Sequence, residues 1–110
     1  ELLAIRPHEC IACYVLRMLH QYGCNGTRRF AVHWRDRRAP RATALERRLA
    51  TMGSCCCDCE LLFNVWETSA ALDVWNAVLQ RYEPPQWMPT CAGGRPRSTT
   101  PCANWQRRRW

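Results

Sequence analysis

Apolar residues recur at helical spacing through the first half of the chain and then lose their rhythm. Ile11, Tyr14, Val15, Met18, Leu19 and Tyr22 follow the i, i+3, i+4, i+7 pattern of one helix face. Pro7 stands where a first helical turn tolerates proline and Gly23 where a left-handed cap is expected, so a helix of roughly 15 residues is predicted between them. Phe30, Ala31 and Trp34 predict a short second helix, with Thr27 as its N-cap and an end before Pro40. A third, from about Arg41 through Ala42, Leu45, Leu49 and Met52, stops at Gly53. The run Leu61, Leu62, Phe63, Val65 and Trp66 is too short to assign by period; it fits a strand or one helical turn, and helix is preferred. Ala70, Ala71, Val74, Trp75, Val78, Leu79 and Tyr82 restore helical spacing until Pro84-Pro85.

Beyond Glu83, Pro84, Pro85, Pro89, Gly93, Gly94, Pro96 and Pro101 predict an irregular tail. The expected fold is therefore mainly α: one small domain of four to five short helices over residues 1–82, and a Pro/Gly/Arg-rich tail over 83–110.

On the first helix, Cys10 and Cys13 fall opposite the core stripe, beside Arg17 and His20. Unbonded cysteine is among the most buried residue types, so two thiols on a polar face are poorly explained as core filler. Nine cysteines in 110 residues is about twice the density core packing explains, and an odd number cannot all pair within one chain. Metal ligation is favoured over a pure disulfide framework.

Cys10-Ile-Ala-Cys13 and Cys57-Asp-Cys59 have spacings that let two sulfurs converge on one ion, the first from adjacent helical positions and the second from a tight turn. Four sulfurs at about 2.3 Å in a tetrahedron suit structural zinc. Cys10, Cys13, Cys57 and Cys59 are the expected ligands, with Cys55, Cys56, Cys24 and His8 as substitutes; an iron-sulfur cluster is the alternative occupant. Cys55, Cys56, Cys91 and Cys102 are left for a second metal or for disulfides. Four thiolates around a divalent ion carry excess negative charge that nearby groups should offset, and Arg17 is the candidate for that role. Asp58 and Glu60 are expected to point outward or to cap the next helix.

Net charge is +7, and every basic residue is arginine. Arg28, Arg29, Arg35, Arg37, Arg38 and Arg41 cluster around the second helix, and Arg107, Arg108 and Arg109 lie between Trp105 and Trp110. Basic residues interleaved with aromatics suit phosphate contacts with base stacking, so a nucleic acid is the expected partner, with an acidic protein surface as the other. No nucleophile-base set and no Gly-rich phosphate loop can be placed, which makes an enzyme the least favoured class. No stretch has the basic start and apolar core of a signal peptide or the length of a membrane span, so a cytoplasmic protein is expected, with reduced thiols open to metal. Oxidation or metal release at the clustered thiols offers a second class, a thiol-based regulator.

His8-Glu-Cys-Ile-Ala-Cys-Tyr-Val-Leu-Arg-Met-Leu, Arg38-Ala-Pro-Arg-Ala-Thr-Ala-Leu-Glu-Arg-Arg-Leu49 and Cys57-Asp-Cys-Glu-Leu-Leu-Phe-Asn-Val65 resemble a family of small actinobacterial proteins known only as a domain of unknown function. The likeness implies a bacterial, intracellular setting and a shared cysteine framework, with no activity attached. Ser54-Cys55-Cys56 departs from the glycine and aromatic residue associated with that family before its Cys-Asp-Cys-Glu motif.

Overall fold

The computed structural model describes residues 3–108. The chain runs α1 (Ile11–Tyr22), α2 (Arg29–Arg38), α3 (Leu45–Thr51) and α4 (Asp58–Glu60), which continues into a wider π turn (Leu61–Val65). It then enters β1 (Trp66–Thr68), a 3₁₀ turn (Ala70–Leu72), β2 (Val74–Asn76), β3 (Arg81–Glu83) and, after a long arm without regular structure, β4 (Trp105–Arg107). The strands form two antiparallel pairs, β1 with β4 and β2 with β3.

The apolar stripe of α1 does face the core. Ile11, Tyr14, Val15 and Met18 are fully buried and pack with Phe30, Ala31 and Trp34 of α2, Leu45 and Leu49 of α3, and Leu61, Val65 and Trp66. Each large side chain buried here contributes about 1.5–3 kcal/mol before conformational entropy is charged against it. Gly53 ends the α3 segment at φ 110°, where a Cβ would stand 2.9 Å from that of Asn64.

The mainly α expectation is corrected to a mixed α/β fold. Over residues 70–82 the helical spacing is coincidental, because a pair seven apart can also face across a hairpin with a four-residue turn. Trp75 pairs with Tyr82 in register, their rings edge-on at 5.2 Å. The Asn76 side-chain carbonyl accepts from Val78 N (3.0 Å) and Leu79 N (3.1 Å), closing the turn as asparagine commonly does. Val74, Trp75, Val78, Leu79 and Tyr82 are all exposed, so the stripe that would have been a helix face has no core to meet. The Leu61–Val65 run is one helical turn, and Trp66 then leaves it as a strand.

The arm between β3 and β4 folds back on α1. Gly94 N donates to His8 O (2.7 Å), Asn104 Nδ2 to Thr90 O (3.1 Å) and Ser69 N to Asn104 O (2.8 Å). Beyond β4, Arg108 gives its backbone N–H to Val65 O and its guanidinium to Leu62 O. Among the described residues no helix is long and apolar enough to cross a membrane.

Candidate metal centre

The start of α1 is built by its cysteines. Cys10 is the N-cap, in extended conformation, and its sulfur accepts from Cys13 N at 3.4 Å, as a serine oxygen would in that position. Cys13 then sits in the first turn, so both sulfurs lie at the electropositive end of the helix, which favours thiolate. Cys10 is not on a polar face as its spacing suggested: it is 1 % exposed, covered by the returning arm. Gly94 permits that cover, since a Cβ there would lie 3.2 Å from Cys10 Cβ and 3.3 Å from its Cα.

The arm brings Cys91 and Cys102. The sulfurs of Cys10, Cys13, Cys91 and Cys102 all lie within 4.8 Å of one another, with Cys13 and Cys102 at 3.7 Å. This four-thiol group can hold a metal ion.

Its surroundings suit thiolates. Cys91 Sγ accepts from Cys10 N and Gly93 N, each at 3.4 Å, and Cys13 Sγ from the Trp105 indole at 3.2 Å. The backbone N–H of Cys102 points to Cys10, and those of Asn104 and Ala92 point to Cys102. N–H groups thus offset the charge that Arg17 was expected to meet. Arg17 instead clamps the buried Glu9 with two bonds, of 2.7 and 2.9 Å. The Cys10 thiol is held down to about 5, chiefly by the Cys13 thiol; Cys13 is pushed up by donating to Cys10, and Cys102 by burial.

Replacing Gly94 should loosen this centre. Gly94→Ala is expected to cost about 1–2 kcal/mol, or roughly tenfold in metal affinity measured by chelator competition, and Gly94→Val more. Equal affinities for all three proteins would remove the close approach from the account.

Cys57 and Cys59 are not in this group. They flank Asp58, whose buried carboxylate accepts from Phe30 N and Ala31 N, both at 3.0 Å, at the start of α2; Asp58 N in turn donates to Thr27 O at 3.0 Å. Asp58 therefore caps a helix N-terminus, but that of the earlier α2, and burial pushes its carboxyl above the usual aspartate range despite those amides. Glu60 accepts from Cys56 N (2.9 Å) and Cys57 N (3.2 Å). Cys55 and Cys56 are joined as a disulfide, close to Glu60. Cys24 is exposed, and Cys57 and Cys59 are half-buried. His8 faces the arm through its backbone carbonyl, which accepts from Gly94 N.

Several arginines are held by carboxylates, carbonyls or a ring, and others line cavities. Arg28 and Arg35 are paired with Glu46, Arg29 donates to Gly23 O and lies over the Phe30 ring, and Arg108 is bound to Leu62 O. Arg107 lies exposed on β4, and Arg109 is outside the described residues. Arg37 and Arg38 line a cavity of about 340 Å³ together with His8, Trp34, Arg95 and Arg97, although the Arg38 guanidinium also donates to Arg6 O (2.8 Å) and Ile5 O (3.4 Å); Arg41 and Arg97 line another. Among the described residues no carboxylate lies within ion-pair distance of Arg37, Arg38, Arg41, Arg95 or Arg97.

Sequence reasoning missed that Cys91 and Cys102 complete the Cys10–Cys13 pair. A signal existed: a Pro- and Gly-rich arm that can build little core nevertheless keeps two thiols. No curated protein and no solved structure matches the chain. Residues 11–64, from α1 into the π turn after α4, match the model of the family described as protein of unknown function (DUF2695).

Proposed function

We propose that this chain is a small non-enzymatic binding module, stapled by one zinc ion on Cys10, Cys13, Cys91 and Cys102. The convergence of these four thiols carries the reading. An all-sulfur tetrahedron is the usual structural zinc site, and it leaves no position for substrate. The zinc joins the first helix to an arm that has little apolar surface of its own. Elemental analysis of protein purified without added metal, with its visible spectrum, tests the choice of metal. Colourless protein containing zinc is expected; brown protein containing iron and sulfide would replace zinc with a cluster.

The partner best suited to the charge is a nucleic acid. The cavity shared by Arg37, Arg38, Arg95 and Arg97 supports this reading, because it gathers arginines from α2 and from the arm around one opening. Trp34 and His8 in the same wall offer ring surface beside the phosphate donors. Random single-stranded RNA or DNA should bind at low salt and dissociate as salt rises. Arg37→Ala and Arg97→Ala should each lower the slope of log K against log salt by about 0.7–0.9. No binding at low salt would turn attention to an acidic protein surface.

A further inference from the structure

We propose that the free edge of β3 is a self-association surface, through which two copies of this chain pair about a two-fold axis at Tyr82. The β2–β3 hairpin stands apart from the core: Val74, Trp75, Val78, Leu79 and Tyr82 are all exposed, and none joins the buried cluster. Among the described residues its hydrogen bonds beyond the ladder stay within it, from Asn76 to Glu83, from Val78 and Leu79 to Asn76, and from Arg81 to Glu83. A two-stranded hairpin alone is marginally stable in water, and three or more strands with an apolar face are needed to hold it. Two copies joined edge to edge make a sheet of four.

The edge of β3 has main-chain groups to offer. In an antiparallel ladder, alternate residue pairs exchange both N–H···O bonds. The pairs here are Val74–Glu83, Trp75–Tyr82 and Asn76–Arg81. Were Trp75–Tyr82 a bonded pair, the next one outward would need an N–H from Pro84, which has none. The bonded pairs are therefore the outer two, and Tyr82 turns its N–H and C=O away from β2. Among the described residues neither group bonds another segment. An unpaired edge of this kind is a template for a further strand.

Charge selects a second copy as the occupant. Pairing β3 with itself about Tyr82 lets the two Tyr82 residues exchange N–H···O bonds and sets Arg81 of each copy opposite Glu83 of the other. Opposite charges facing across strands stabilise a sheet, and like charges destabilise it. The Arg81 guanidinium already bonds Glu83 Oε1 of its own strand, at 3.0 and 3.1 Å, so the two side chains share one face and pairing joins two such couples into a cluster of alternating sign. The opposite face then carries Trp75 and Tyr82 of both copies in one row. The same register carries the exposed tip, Val78 and Leu79, towards Pro85 and the exposed Trp87 of the second copy. On the other edge, self-pairing of β2 about Trp75 would oppose Val74 and Asn76, with no charge to fix the register. The β3 contact is isologous and closes at two copies.

Sedimentation velocity of the full chain as purified, under reducing conditions and over a range of concentrations, tests the surface. The native chain is expected to pass from monomer to dimer with a micromolar dissociation constant. Arg81→Glu and Glu83→Arg should each weaken self-association about tenfold or more, since two favourable cross-strand pairs become two unfavourable ones. An equimolar mixture of these two variants should regain the native constant as a heterodimer, and so should the exchanged double variant Arg81→Glu/Glu83→Arg; that recovery also shows the single variants to be folded. A native chain that stays monomeric at every concentration, single variants that dimerise as the native chain does, or a mixture that fails to recover would each overturn the proposal. The first of these would leave the edge to a strand of another protein.

Discussion

Stripping the metal from Cys10, Cys13, Cys91 and Cys102 is expected to abolish the cooperative thermal unfolding of the chain and to open residues 84–104 to proteolysis. Those residues form no helix or strand, and most are exposed. What returns them to α1 is a small set of polar contacts spanning more than eighty positions, Cys10 N to Cys91 and Cys13 to Cys102 among them. Closing so long a loop carries an entropic cost that a few partly buried hydrogen bonds, at about 0.5–1.5 kcal/mol each, barely offset. Structural zinc contributes about 10–16 kcal/mol of apparent binding energy in zinc-finger peptides, comparable to the whole stability of an ordinary domain at about 5–15 kcal/mol. Circular dichroism melts with and without chelator, and of Cys102→Ser, measure the effect. Because ligation requires deprotonated thiols, acid should reproduce it, with metal leaving as pH falls. A melt unchanged by chelation would mean that the hydrophobic core alone suffices.

The second large effect is expected at Asp58. Asp58→Ala leaves the Phe30 and Ala31 amides without their acceptor in a site where Asp58 itself is 1 % exposed. Unsatisfied buried donors cost about 1–3 kcal/mol each, and loss of an N-cap alone about 0.5–2. A loss of about 3 kcal/mol is therefore expected, seen as a fall in melting temperature of about 12–20 °C. Asp58→Asn, which keeps one carbonyl oxygen but turns an amine towards the other N–H, should fall between the two. If Asp58→Ala melted with the native protein, the turn would be held by something other than this cap.

How far the fold could be read from the chain follows from the range of each signal. Helices α1, α2 and α3 were legible because Ile11, Tyr14, Val15 and Met18, then Phe30, Ala31 and Trp34, then Leu45 and Leu49 repeat locally and face a common core. The β2–β3 hairpin was not, since Trp75 and Tyr82 satisfy both a helical and a cross-strand pattern, and only the absence of a core beside them decides. Likewise the Cys10–Cys13 pair announced a ligand pair, but spacing within a motif carries no information about its distant complement. Two pairs of similar chemistry were on offer, Cys57 with Cys59 and Cys91 with Cys102. The fold brings the second to Cys10 and Cys13, because Gly94 lets the arm lie against α1 while Asp58 anchors the first at α2. Charge was legible only in sum: which arginines face a cavity and which serve carbonyls or Glu46 depends on packing that composition does not encode.

The central claim is that four distant thiols share one cation, and a crystal of the native protein measured at the zinc absorption edge tests it most directly. An anomalous peak centred among Cys10, Cys13, Cys91 and Cys102, with sulfur at about 2.3 Å, is the expected result. No peak there, or electron density joining these sulfurs in disulfide bonds, would contradict it.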